Sequence, residues 1–359
     1  MTVSSELPRA RPGVPERANS EPAARLSHRI LIIGPSNIGD AILMSGVVAA
    51  LHARYPEAHV TLVVGSRARA VFLEDPRVQV LVDADRFDSA LGRLRLALSL
   101  WRYHPHVVVD LRHTLYPFLL KPLTAWRYLG RPPRTVVHMR ERHLWRLAVQ
   151  APAVRSVLRA EAALPLSFTP RDEAHIESLW SRWKLDGRHP VVVICPGARS
   201  HIKRWTAEGF AGVADRLIAE RSADVVLSGE PEEKTVIDDI LGLMRYRAHT
   251  AVGLVTIRQL GLLMRRAQLV ITNDSASLHL ASAVAAPTLA IFGPTDEAKY
   301  GPTAPRHRTI RRRLFCTPCE QPQCRFNHEC MRFISADEVY DAACQLLRPE
   351  TEAKTRLRD

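Results

Sequence analysis

No stretch of about 18 or more uncharged apolar residues occurs in the 359-residue chain, so no membrane-spanning helix is expected. The first 27 residues hold Pro, Arg, Ser and Glu without an apolar core, which argues against a secretory leader and predicts a disordered tail. Lysine is scarce: 6 of the 50 basic residues are lysine and 44 are arginine, within a net charge of +13. Such a surplus admits nucleic acid, an anionic membrane surface or anionic substrates as partners. The arginines are scattered and no RNA-binding or helix-turn-helix signature is present, which disfavours nucleic acid. Without a leader a reducing cytoplasmic setting is expected, and disulfides among the six cysteines are not. No G-x-G-x-x-G follows the first strand of either half, which disfavours an NAD-linked oxidoreductase. Nor is an Asp-x-Asp read at a strand end, where it would hold a metal–diphosphate complex.

What is present is an alternation of short β-branched runs with helical patterns. Strands are expected at 29–34, 59–65, 77–83 and 106–111, with helices at 40–54 and 88–102. Near-continuous apolar strands alternating with helices predict a parallel sheet covered on both faces. Residues 166–190, with Pro170 and Pro190, read as a linker between an amino-terminal domain at 28–165 and a carboxy-terminal one at 191–348, and residues 349–359 read as a tail. The pattern restarts with strands at 191–195, 224–229, 268–272 and 287–293. Helices are expected at 231–244, 256–267, 275–284 and 335–347, and another is capped by Thr206. The expected fold class is therefore α/β, with two Rossmann-like doubly wound domains whose ligands bind beyond the carboxyl ends of the strands.

Three motifs fall at such ends. In GPSNIGDAIL, Gly34 and Gly39 are spaced as in a phosphate-binding loop, but Asp40 stands where that loop needs its lysine. A carboxylate there repels phosphate, so it either caps the following helix or serves another chemistry. In PGARSHIKRW, Lys203 lies just before a helix start, a setting suited to a diphosphate. In NDSASLHLASAV, Asp274 ends a buried strand, and Ser275, Ala276 and Ser277 open a helix of small residues with His279 one turn on. Small residues let a ligand approach the helix-start N–H groups, and Asp274 is placed to accept from sugar hydroxyls.

GPSNIGDAIL, PGARSHIKRW, NDSASLHLASAV and IFGPTD occur in this order, and together the chain resembles glycosyltransferase family 9, the ADP-heptose:lipopolysaccharide heptosyltransferases, from about Arg29 to about Leu347. The resemblance implies a GT-B architecture, two Rossmann-like domains facing a central cleft, with the acceptor on the amino-terminal side and the nucleotide sugar on the carboxy-terminal side. It implies inverting, metal-independent transfer of a heptose from ADP-heptose to a lipopolysaccharide inner-core acceptor, with no cofactor required for catalysis. The family's catalytic acid matches Asp40 and its diphosphate-binding lysine matches Lys203. Its donor residues match Arg199, Lys203, Glu233, Asp274, Ser275, Ala276, Ser277 and His279. Ser275-Ala276 replaces the family's usual Thr-Gly, keeping the hydroxyl but adding a methyl where the ligand comes closest.

On the acceptor side Ser36, Asn37, Gly39, Arg67, Arg69 and Arg112 are candidates, the arginines because they follow amino-domain strands and suit acceptor phosphates or carboxylates. The expected setting is cytoplasmic, peripheral to the inner face of the membrane, with an anionic lipid-linked saccharide as acceptor. Cys195 and Cys344 lie in apolar patterns as core thiols. Cys316, Cys319, Cys324 and Cys330 follow the spacing C-x2-C-x4-C-x5-C, which is compatible with a structural zinc. Two other readings stay open: the same family acting on another nucleotide sugar or acceptor for a different surface glycan, and a non-catalytic nucleotide-binding protein.

Overall fold

Two parallel β-sheets, one in each half of the chain, organise the computed structural model, which describes residues 28–159 and 166–348. The expected tails at 1–27 and 349–359 lie outside the described residues. The first sheet is built from β1 (Arg29–Ile33), β2 (His59–Val64), β3 (Val80–Asp83) and β4 (Val107–Asp110) in the order β3-β2-β1-β4. The second is built from β5 (Val191–Cys195), β6 (Asp224–Leu227), β7 (His249–Thr250), β8 (Leu269–Asn273), β9 (Thr288–Phe292) and β10 (His307–Arg311) in the order β10-β9-β8-β5-β6-β7. Each order reverses once, between β1 and β4 and between β5 and β8, and an open parallel sheet presents its crevice at that point.

The strands form where the sequence offers unbroken Val, Ile and Leu. All five residues of β5, β8 and β9 are buried, as a strand covered on both faces requires. Burying each such side chain stabilises the fold by ~1.5–3 kcal/mol. Helices of the first half are α1 (Ile38–Arg54), α2 (Arg69–Phe72), α3 (Ala90–Trp101), α4 (Tyr116–Leu120) and α5 (Met139–Gln150). The remaining ones are α6 (Pro170–Arg182), α7 (Ala207–Arg221), α8 (Lys234–Leu243), α9 (Ile257–Arg266), α10 (Ala276–Ala283), α11 (Glu297–Tyr300), α12 (Glu329–Arg332) and α13 (Ala336–Leu347).

Two helices depart from the sequence reading. The stretch expected as linker carries α6, whose Thr169 and Asp172 form a reciprocal capping box with Pro170 at the first helical position. Its Ile176 and Leu179 join the same apolar cluster as Leu260 and Leu263 of α9, and Asp172 meets Arg258 in a buried ion pair. The prolines thus begin a helix and do not mark a loop. The other departure is α5, unassigned in the sequence, whose polar side chains point inward. Gln150 accepts from the Asp110 N–H at 2.8 Å and donates to its carbonyl at 2.9 Å, completing the free edge of β4.

Candidate active site

Beyond β1 the chain turns at Gly34 and starts α1 at Ile38. Asn37 occupies the N-cap without a side-chain bond to the helix N–H groups, and Asp40 sits in the first turn, where an acid suits the helix dipole. Burial pushes the Asp40 carboxyl above its ordinary range, partly offset by a bond from Asn37 and by the positive charge of Lys203. Beyond β5 a short 3₁₀ turn, His201–Lys203, presents Lys203, which donates to Oδ2 of Asp274 at 2.7 Å. Asp274 directly follows β8 and is buried; Lys203 is partly exposed. The two switch points therefore supply one group each: an acid with raised pKa from the first sheet, an ammonium held by a buried acid from the second.

The two helix starts touch. A side-chain carbon placed on Gly39 would lie 3.1 Å from the His279 ring and 3.7 Å from the Ala276 backbone, so glycine is what lets α1 meet α10. Three polar contacts bridge the halves around that point. Arg199 donates to the Asn37 side chain at 2.8 Å, Arg67 pairs with Glu230 at 2.8 Å, and the His138 ring donates to the Gly301 carbonyl at 3.0 Å. His279 is buried and its pKa falls to about 4, chiefly by desolvation and against the pull of Asp274, so the ring is neutral. Tyr300 lies close enough to Asp40 for the acid to raise the phenol's pKa, second to the effect of burial.

Ser275 caps α10, its hydroxyl accepting from the Ser277 N–H. Ser277 also bonds Cys195, a fully buried thiol pushed up to about 12 by burial, as an inert core cysteine should be. Glu233 lies against Gly197 and Gly229, beyond β5 and β6, so closely that a methyl on either glycine would strike its carboxylate. Burial raises its pKa, while the Glu230 N–H bonded to it at 2.9 Å works the other way. Asn273, given no role in the sequence reading, ties this region together: its side chain accepts from the Trp205 backbone N–H at 3.1 Å and donates to the Pro196 carbonyl at 2.6 Å. Its place beside Asp274 at a strand end was the available signal. Glu230, His138 and Tyr300 carried none.

Not every expected residue turns to the cleft in the same way. Arg69 faces Asp83 at 3.6 Å within its own half, and Arg112 is exposed after β4. Ser36 packs on Gly65. Asp83-Ala84-Asp85 is an Asp-x-Asp at the end of β3, contrary to the reading that no strand end carries one. Both acids are engaged by the neighbouring loop, Asp83 by the Ser66 hydroxyl at 2.9 Å and Asp85 by the Ser66 N–H at 2.7 Å. The zinc expected of the four cysteines finds no ready-made site. Cys316, Cys319, Cys324 and Cys330 line one cavity with Ile202 and His328, beside the Lys203 turn. Among the described residues, however, no three His, Cys, Asp or Glu side chains are arranged to hold a metal ion. Cys330 packs on Gly293 after β9, and burial, with the other three cysteines adding, lifts its thiol to about 11.

Comparison with known proteins agrees with this arrangement. The chain is 27% identical over 308 residues to lipopolysaccharide heptosyltransferase 2 of Salmonella typhimurium, spanning 79% of this chain and 88% of that one. Among solved structures it superposes on a glycosyltransferase family 9 protein of Veillonella parvula with a TM-score of 0.71 at 20% identity, covering 89% of this chain and 97% of that one. It superposes on the ADP-heptose lipopolysaccharide heptosyltransferase II of E. coli with a TM-score of 0.67 at 22% identity, covering 89% and 98%. These neighbours share the two-sheet GT-B fold. The model of glycosyltransferase family 9 (heptosyltransferase) matches residues 140–329, and the chain belongs to that family of glycosyltransferases.

Proposed function

We propose that the protein transfers a heptose from ADP-heptose to a lipopolysaccharide inner-core acceptor, inverting the anomeric centre without a metal. The observation that carries this reading is the opposition of Asp40 and Lys203 across a cleft closed at one point by Gly39 against His279. The family supplies the reaction class, and relatives named as lipopolysaccharide heptosyltransferases supply the sugar and acceptor class.

Inversion is one in-line displacement at the anomeric carbon. The acceptor hydroxyl attacks and loses its proton to Asp40, whose raised pKa makes it a stronger base than an exposed aspartate. On the opposite side the C–O bond to the diphosphate breaks and ADP leaves with the bonding pair. Lys203 meets that developing charge, with the start of α10 at Ser275 behind it. Asp274, read in the sequence as a partner for sugar hydroxyls, has one carboxylate oxygen on Lys203 and aims the ammonium. Glu233, between two glycines at the edge of the donor crevice, is placed for the ribose. Arg199 and Arg67 close the cleft over the reactants. The acceptor is lipid-linked and anionic, met at the cytoplasmic face of the inner membrane.

The test is a transfer assay with ADP-heptose and heptose-deficient lipopolysaccharide, with product mass and anomeric configuration read out, run beside calorimetry with ADP, UDP and GDP. Selective ADP binding and EDTA-resistant transfer are expected. Preference for UDP or GDP would favour the same chemistry on a different surface glycan. Activity lost to EDTA and restored by magnesium would overturn the metal-free mechanism.

A further inference from the structure

Among the described residues, the outward side of α3 and the segment that follows β4 carry large exposed apolar side chains. Leu94, Leu98 and Trp101 recur at helical spacing as one stripe on α3, with Leu98 56% and Trp101 57% exposed. Leu119, Leu123 and Trp126 continue it, Leu123 being 93% exposed. The two segments lie side by side, because Leu96 and Leu100 beneath α3 pack in one cluster with Leu120 and Tyr128 over Leu31, Ile33 and Val108. Arg93 and Arg112 both act on Tyr116, which places the start of α3 beside α4.

The charge around this apolar strip is mostly positive. From Ser89 to Arg140 the sequence has nine lysines and arginines and a single acid, Asp110, while the exposed acids Asp85 and Asp88 sit just before the start of α3 and Glu141 follows the window. Asp110 is buried and bonded to Thr114 and to the Arg112 N–H, so it offsets none of the surface charge in a partner's view. Arg95 and Arg102 run along the far side of the leucine stripe, one heptad apart, and Arg127 lies over the Trp126 ring at 5.4 Å.

From this we propose that the outward face of α3 and residues 115–129 docks on an anionic phospholipid bilayer, with Leu98, Trp101, Leu123 and Trp126 entering the headgroup–acyl boundary and the flanking arginines meeting lipid phosphates. An apolar stripe edged by arginine and tryptophan is the composition that binds at a membrane surface. No helix of the described residues is long and apolar enough to cross the membrane, so this is attachment from one side. A second copy of the chain fits the face less well, since a two-fold contact would set one basic surface against another. The proposal deepens the functional reading and rests on it in one respect, that the acceptor is lipid-linked: Arg112, at the acceptor end of the first sheet, would lie beside the docked membrane.

The experiment is co-sedimentation of the full-length protein with vesicles of phosphatidylcholine, alone or mixed with phosphatidylglycerol, at low and high salt. Binding is expected only with phosphatidylglycerol and should weaken with salt. Leu98→Gln with Leu123→Gln should lower partitioning by roughly tenfold or more. Arg95→Gln and Arg102→Gln should lower it roughly fivefold each. Circular dichroism should be unchanged in all variants, since these side chains are exposed. Vesicle binding that is absent in the wild type, or unaltered in the leucine variant, overturns the proposal. So does a dimer in sedimentation velocity that the leucine variant dissociates, which would make this face a contact between copies. Transfer to a delipidated, water-soluble acceptor is measured in parallel. If it persists while vesicle binding fails, the docking face falls and the transferase reading stands; if it is absent while vesicles bind, the reverse holds.

Discussion

Lys203 Nζ stands 2.7 Å from Asp274 Oδ2, with the acid almost wholly buried and the base about one-third exposed. A buried carboxylate with one strong donor fixes where that donor points, so the ammonium is aimed before any nucleotide arrives. Lys203→Ala should weaken ADP binding and turnover together, because the contact exists in the ground state and strengthens as charge develops. It should also cost about 1–3 kcal/mol of stability by leaving the Asp274 carboxylate short of a donor. Asp274→Asn should retain the fold and lose turnover more than ADP affinity, if its work is aim and not charge. Calorimetry with ADP and a transfer assay on both variants check this; an unchanged ADP affinity in Lys203→Ala would put the diphosphate elsewhere.

Asp40→Asn should lower turnover by ~10²–10⁴-fold with little change in ADP affinity, since in the proposed mechanism the lost group acts on the acceptor hydroxyl. In the wild type, transfer should fall as pH drops through the raised pKa of Asp40, because the protonated acid accepts no proton. The same limb should be missing from the residual rate of Asp40→Asn. A variant that turns over at the normal rate would reduce Asp40 to a first-turn acid of α1.

Two buried histidines set an acid limit on the fold. His143 and His279 each fall from 6.5 to about 4, in both cases chiefly by desolvation. Their folded pKa lies below the unfolded one, so the stabilisation is full above pH 6.5 and is lost as pH falls towards 4, where the unfolded chain takes up protons the folded one refuses. Each contributes roughly 3 kcal/mol across that window. Urea midpoints measured from pH 7 to pH 4 should fall steeply, and His143→Gln should flatten the slope by about one proton. A slope unaltered in that variant would mean His143 is charged in the folded protein.

The cysteine segment should behave as packed thiol, not as a metal knot. EDTA should leave the melting temperature unmoved, and metal analysis of purified protein should find well under one zinc per chain. Cys330→Ser should lower stability by about 1–3 kcal/mol, because a hydroxyl would enter a site packed on Gly293 and Met331. Release of one zinc on unfolding would restore the four-thiolate site read from the spacing.

The parallel sheets were legible because strands covered on both faces must be apolar throughout, as in Val191–Cys195 and Leu269–Asn273. Helix α5 was hidden for the opposite reason: its inward side carries His143, Arg146 and Gln150, so the apolar period that marks a helix is broken where the helix is most buried. Edge strand β10 buries only Ile310 and looks like a charged loop. At the site, Asp40 and Lys203 stood out as charges at strand ends. The contacts they make, Lys203 to Asp274 and Asn37 to Arg199, join residues 71 and 162 positions apart and have no local trace.

Gly39 has a consequence for how closely the two halves approach. The two halves touch where a side-chain carbon on residue 39 would lie 3.1 Å from the His279 ring, so the residue at 39 acts as a shim between α1 and α10. Adding a methyl there would require His279 or the first helix to give by a few tenths of an ångström. The spacing of the two helix starts that carry Asp40 and His279 is thus gauged by the one side chain this position lacks.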